Sequence, residues 1–94
     1  MRVIWQRRAL RQFFAIHDYI ATNDPVAAGQ IVLEIEAAIE RLIAFPFLGR
    51  TGDIVGIRLL QIPGRPYVLP YRIVDDAIEI TAVFDQRRDP EDRL

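Results

Sequence analysis

The chain has 94 residues, 51% of them apolar, and a formal net charge of -1, which fits one folded domain with a modest core and argues against disorder. It holds no cysteine, so disulfides and thiolate chemistry are excluded, and no run of about 18 apolar residues is present to span a membrane. All 12 basic residues are Arg, so lysine chemistry is excluded, and the near-neutral total argues against non-specific coating of nucleic acid while allowing one small anion-facing patch.

Met1 to Trp5 is too short an apolar start for a signal peptide, which makes a cytoplasmic location the default expectation. Arg2 to Trp5 reads as a short strand. A helix is predicted from about Arg7 to Ala21. At about 100° per residue, Ala9, Leu10, Phe13, Phe14, Ile16, His17, Ile20 and Ala21 share a face, with Arg7, Arg8, Arg11, Gln12 and Asp18 opposite. His17, the only histidine, falls inside that face and is read as a buried neutral imidazole rather than a catalyst. At Asn23-Asp24-Pro25, Asp24 can cap the next helix and Pro25 suits its first turn.

That second helix should run to about Phe45 and stop at Pro46, forming an αα-hairpin with the first. Its main stripe is Ala28, Ile31, Val32, Ile35, Ala38, Ile39, Leu42 and Ile43. A thinner ridge of Val26, Leu33, Ala37 and Ala44 points elsewhere. It either packs sideways on the first helix or is left apolar for a partner chain. Phe47 to Val55 is a turn-rich loop whose Gly49 and Gly52 lack the spacing of a phosphate-binding fingerprint.

Gly56 to Ile62 reads as a strand with Arg58, Leu60 and Ile62 on one parity, and Pro63 to Pro66 as a turn. Tyr67 to Arg88 holds two β-rich runs around Asp75-Asp76. In the first, Tyr67, Leu69, Tyr71 and Ile73 alternate with Val68, Arg72 and Val74. Pro70 interrupts it, since it cannot donate to a ladder and suits an edge or a bulge. In the second, Ile78, Ile80, Ala82 and Phe84 share one parity, Glu79, Thr81 and Asp85 the other. Arg50 to Arg72 holds four Arg against one Asp, so the middle of the chain is locally basic. Arg58 and Arg72 are expected as cross-strand neighbours that join Gln86, Arg87 and Arg88 in one target-binding patch. For Arg72, an ion pair with Glu79 or Asp85 is the competing expectation. Asp89 to Leu94 is read as a frayed helix or a disordered tail. The resulting order is β-α-α-β-β-β. It is an α+β domain over residues 1–94, a helical hairpin on a largely antiparallel four-stranded sheet.

This order, with these residues, resembles the RelE/ParE superfamily of toxins from type II toxin–antitoxin systems. The matching features are Trp5 before an Arg-rich helix start, Tyr19-Ile20-Ala21, Asn23-Asp24-Pro25, Ala27-Ala28, Leu42, Phe45-Pro46 and Gly49-Arg50-x-Gly52. Further along come Gly56-x-Arg58-x-Leu60, Pro66-Tyr67-Val68, Tyr71-Arg72-Ile73 and Arg87-Arg88. The ordered set spans nearly the full chain. The resemblance implies a small toxin, encoded beside an antitoxin, that arrests growth when the antitoxin is degraded. It also implies an antitoxin wrapped around the toxin, for which the Val26, Leu33 and Ala37 ridge is the candidate face.

RelE-like members cut ribosome-bound mRNA, whereas ParE-like members inhibit DNA gyrase and are not nucleases. Cleavage through the 2′-hydroxyl needs a base, an acid and cations for the phosphorane charge. Nuclease members often place Arg straight after the Tyr that begins the third strand, and Val68 stands there. They often end the last strand with Lys, His or Tyr, where this chain has Asp85-Gln86-Arg87-Arg88; many relatives carry His at the position of Asp85. A nuclease would have to draw on Arg58, Arg72, Asp85, Arg87 and Arg88. Guanidiniums are poor bases, and a carboxylate of ordinary pKa is too acidic to be an efficient one. The expectation is therefore a toxin that binds gyrase. A ribosome-dependent mRNA interferase and a non-toxic member acting only in operon regulation are the alternatives. No metal, cofactor or small-molecule substrate is expected.

Overall fold

The computed structural model describes residues 1–87; Arg88 and the tail at 89–94 lie outside the described residues. The elements follow as β1 (Arg2–Trp5), α1 (Arg7–Ala21), α2 (Pro25–Ala44), β2 (Arg50–Thr51), β3 (Arg58–Gln61), β4 (Tyr67–Val74), β5 (Ala77–Ile80) and β6 (Phe84–Asp85). The start of α2 is fixed locally. The Asp24 carboxylate accepts from the Ala27 N–H at 3.1 Å, and Pro25 fills the first turn, where its missing N–H costs nothing. Pro46 ends the helix because it cannot extend the ladder. Gln6 precedes α1 without capping it; its side chain instead donates to Glu79 at 2.8 Å across the neighbouring sheet strand.

The strands form one mixed sheet in the order β1-β5-β4-β3-β2, with β6 also on β4. β1 runs parallel to β5, and the other pairings are antiparallel. The α+β class stands, with more strands than the expected four. β2 is a short added edge, and the last predicted strand is broken into β5 and β6.

The break has a register signature. Tyr71 pairs with Ile80 and Arg72 with Glu79, but Val68 pairs with Phe84 and Tyr67 with Asp85, so the β5–β6 run carries one extra residue. The cause is Pro70. Its carbonyl accepts from the Thr81 N–H at 2.9 Å and the Thr81 hydroxyl at 3.2 Å, but it has no N–H to return, and the ladder bulges. The displaced Val83 N–H is taken by the Gln12 carboxamide oxygen of α1 at 2.8 Å. The bulge overturns the predicted parity beyond Ile80. Ile78 and Ile80 face the helices, Phe84 joins Val68 on the outer face, and Asp85 turns to the helix side beside Tyr67.

Between the layers lie Ala9 from α1, Ile31, Ile35, Ala38, Ile39 and Leu42 from α2, and Leu60, Ile62, Leu69, Tyr71, Ile78 and Ile80 from the sheet. Fully burying each large side chain contributes about 1.5–3 kcal/mol. On α1 only the line Ala9, Phe13, Ile16 and Ile20 meets this core. Leu10 and Phe14 are exposed, and His17 is a partly exposed residue 3.1 Å from Asp18, not the expected buried imidazole. A surface helix buries one stripe, and the eight-residue sector read from sequence is wider than that stripe. Among the described residues no helix is long and apolar enough to cross a membrane.

Candidate functional site

The link between α2 and β2 is bound to the sheet from beneath. The Tyr71 hydroxyl, on a fully buried ring, donates to the Pro46 carbonyl at 2.7 Å and accepts from the Gly49 N–H at 2.9 Å. Arg58 adds a second clamp, donating to the Gly49 carbonyl at 2.8 Å and the Phe47 carbonyl at 3.3 Å. Its guanidinium also lies 5.0 Å from the Phe47 ring centroid, a cation–π distance. Position 49 must be glycine for this closure, since a Cβ there would sit 2.6 Å from Tyr71 Cε1. Burial, first among its causes, pushes the Tyr71 phenol pKa up.

This geometry corrects the expected single patch of cations. Arg58 pairs with Tyr71, not Arg72, so the two guanidiniums leave opposite faces of the sheet. On the outer face Arg72 donates through Nε and Nη2 to Glu79 at 3.2 and 3.0 Å. The Gln6 hydrogen bond, followed by Arg72, holds the Glu79 carboxyl below its usual range. Arg87 binds the Asp85 carboxylate through Nε and Nη2 at 3.0 and 2.7 Å, with its N–H on the same group at 2.9 Å. That hydrogen bonding raises the Arg87 pKa. Arg88 lies outside the described residues.

Two clefts flank β6, and alternation along Phe84 to Arg87 assigns residues to each. A cleft of about 300 Å³ on the outer face is lined by Arg50, Ile57, Leu59, Val68, Phe84 and Gln86, among others. The Gln86 backbone is anchored there by its N–H on the Pro66 carbonyl at 2.8 Å. A wider groove of about 760 Å³ on the helix side is lined by Arg8, Gln12, Tyr19, Tyr67, Asp85 and Arg87, among others. Arg87 is therefore grouped with Arg8 of α1. Arg8 and Arg50 were not read as site residues, although Arg8, Gln12, Ala15 and Tyr19 follow the four-three-four spacing of one helical line. No histidine lines either cleft, and among the described residues no three His, Asp or Glu side chains gather as a metal site requires.

The ridge on α2 is open. Val26 is 73% and Leu33 66% exposed, and Ala37 and Ala44 are also exposed. It does not pack sideways on α1, which removes the first of the two readings offered for it.

A helical hairpin on one face of a mixed sheet, with clefts on both sides of the last strand, defines a two-layer α+β protein of the RelE/ParE type. A family model described as "ParE toxin of type II toxin-antitoxin system, parDE" matches residues 3–90. The chain belongs to this family of toxins of type II toxin–antitoxin systems. It is 37% identical over 90 residues to the Y4kP protein of Sinorhizobium fredii, covering 96% of this chain and 94% of that one. It is 33% identical over 82 residues to Toxin RelE2 of Caulobacter vibrioides, covering 87% of this chain and 91% of that one. Among solved structures it is similar to a chain of the chromosomal ParDE TA system from P. aeruginosa. There the TM-score is 0.79 and the identity 26%, over 90% of this chain and 95% of the other. Membership implies a cognate antitoxin.

Proposed function

We propose that this toxin acts as a single cytoplasmic domain, arrests growth by binding DNA gyrase without cutting nucleic acid, and is neutralised when its antitoxin covers the Val26, Leu33 and Ala37 ridge. One observation carries the reading. The two positions where nuclease relatives concentrate their chemistry, after Tyr67 and at the end of the last strand, are divided between two clefts: Val68 shares the outer one with Arg50, Asp53, Pro70, Phe84 and Gln86, and Asp85 lies in the helix-side groove against Arg87. Val68, Pro70, Phe84 and Gln86 cannot take a proton from a 2′-hydroxyl at neutral pH, and the carboxylates Asp53 and Asp85 lie in different clefts. The cations that could steady a phosphorane are divided among separate surfaces, with Arg50 at the outer cleft, Arg58 on loop carbonyls, Arg72 on Glu79 and Arg87 on Asp85.

Of these, Arg87 is the best placed to meet a target. Its side chain is 72% exposed, and it stands at the mouth of the helix-side groove with Arg8. Neighbouring Arg88 adds a further cation in the sequence. An acidic protein surface would meet both without any chemistry being required of them. For the ridge, an apolar helix of the antitoxin supplies the cover that α1 does not.

The test is expression from a tightly controlled promoter, with message integrity followed in cells and supercoiling by purified gyrase followed in vitro. Filamentation with inhibited supercoiling is the expected result, and R87A/R88A should weaken both while leaving antitoxin affinity nearly intact. Cuts at codon boundaries in ribosome-bound mRNA would replace this reading with the mRNA interferase. An absence of any growth defect would leave a member that serves only operon regulation.

A further inference from the structure

Arg87 is held from one side. Its Nε and Nη2 donate to the Asp85 carboxylate at 3.0 and 2.7 Å, and its backbone N–H donates to the same group at 2.9 Å. Nη1 has no partner among the described residues. The two side chains are unequally open to solvent, 72% for Arg87 and 13% for Asp85. A carboxylate that masked the guanidinium would lie above it, whereas this one lies beneath as a support. We propose that Asp85 is a positioning residue, which fixes the Arg87 guanidinium with its Nη1–Nη2 edge turned outward to grip a carboxylate of the protein target end-on. The inference rests on the reading of a toxin that meets an acidic protein surface through Arg87, and says how that contact is built.

The support begins in the backbone. Asp85 and Arg87 are two residues apart, so alternation puts both on the helix side, where both line the wider groove. Asp85 is paired with Tyr67 of β4, and the Gln86 N–H is anchored on the Pro66 carbonyl at 2.8 Å. The chain under Arg87 is therefore set before its side chain folds back. Occupation of Nε and Nη2 from the side leaves one N–H on Nη1 and one on Nη2, parallel and in one plane, which matches the two oxygens of a carboxylate. An unsupported arginine would lose its rotamer freedom on binding, so the prior ordering is worth about three- to tenfold in affinity. Asp85 also cancels the charge of Arg87. The pair then adds little to the counterion release on which nucleic-acid affinity depends, and what remains is short-range geometry suited to a protein surface.

The test compares the full chain with Asp85→Asn, Arg87→Ala and the double variant. In NMR of the arginine Nε–Hε groups, the parent Arg87 signal should be as ordered as the backbone, and Asp85→Asn should make it mobile. Asn can still accept from the Arg87 N–H, and an ion pair this open adds little stability, so the melting temperature should hold. Asp85→Asn should weaken both growth arrest and supercoiling inhibition about three- to tenfold, and Arg87→Ala should weaken them further. Adding Asp85→Asn to Arg87→Ala should change nothing more, because Asp85 acts through Arg87. A role in the fold alone would instead add its own loss in the double variant. That additivity, a mobile Arg87 signal in the parent, or inhibition unchanged or improved in Asp85→Asn would each overturn the proposal. So would Arg87-dependent binding of a duplex oligonucleotide without gyrase, which would assign the outward edge to phosphate. Growth arrest that depends on the pair without inhibited supercoiling keeps the positioning and loses gyrase as target. Inhibited supercoiling indifferent to Asp85 does the reverse, and a chain that arrests no growth loses both.

Discussion

Removing one oxygen in Tyr71→Phe tests whether the link between α2 and β2 is held from inside the sheet. The ring keeps its volume, so the core is not reshaped, but the Pro46 carbonyl and the buried Gly49 N–H both lose their partner. An orphaned buried backbone group costs about 1–3 kcal/mol. Pro46 is half-buried and can be rehydrated, and Arg58 still holds the Gly49 carbonyl, so the sum should be about 2–3 kcal/mol. For a domain of this size that corresponds to a fall in Tm of roughly 10–20 °C. Thermal melting followed by circular dichroism measures it, and hydrogen exchange should show the Gly49 amide losing its protection. A variant melting within about 3 °C of the parent would refute the argument. The same hydroxyl makes a pH prediction. Its folded pKa is raised above the ordinary 10.0, so its contribution is fully present below that value and is lost as pH rises through the folded one. The phenylalanine variant should lack this alkaline component.

Four further substitutions test other parts of the structure. Gly49→Ala forces a Cβ to 2.6 Å from Tyr71 Cε1 and 3.0 Å from the Leu59 carbonyl oxygen, and should cost about 1–3 kcal/mol in urea denaturation. Gln12→Leu leaves the Val83 N–H of the bulge without its acceptor; a loss of about 1–3 kcal/mol is expected, and an unchanged urea midpoint would mean that water replaces the carboxamide. Glu79 has a lowered folded pKa, so its contribution is present above the ordinary 4.5 and is lost as pH falls through the folded value. Denaturation midpoints measured from neutral pH into the acid range should therefore fall less steeply in Glu79→Gln. On the open ridge, Leu33→Asp should leave the melting temperature unchanged and weaken the antitoxin about tenfold or more by calorimetry, since it places a charge where an apolar contact is expected.

The sequence determined what local chemistry can determine. The bounds of β1 and α1 follow from pattern, α2 starts at Asp24-Pro25 because that pair can cap and open a helix, and Pro46 ends it. The α+β order follows from those elements, and the ordered motifs carried the family. The apolar ridge of α2 was also legible as two alternatives, because helical period says which residues share a line but not what lies against it. Only tertiary packing removed the first of them, by leaving Val26 and Leu33 exposed.

The site was far less legible, and the reason is one residue long. Alternation along a strand predicts faces only while the ladder is regular. Pro70 was visible as a flaw, but its effect is felt on the partner run, where the bulge after Ile80 reverses the side on which Phe84, Asp85 and Gln86 emerge. A similar dependence on register placed Arg58 opposite Tyr71 rather than Arg72, and so dispersed cations that the expected cross-strand pairing had gathered into one patch. Register is a property of two strands and the turn between them, and neither strand's residues contain it separately.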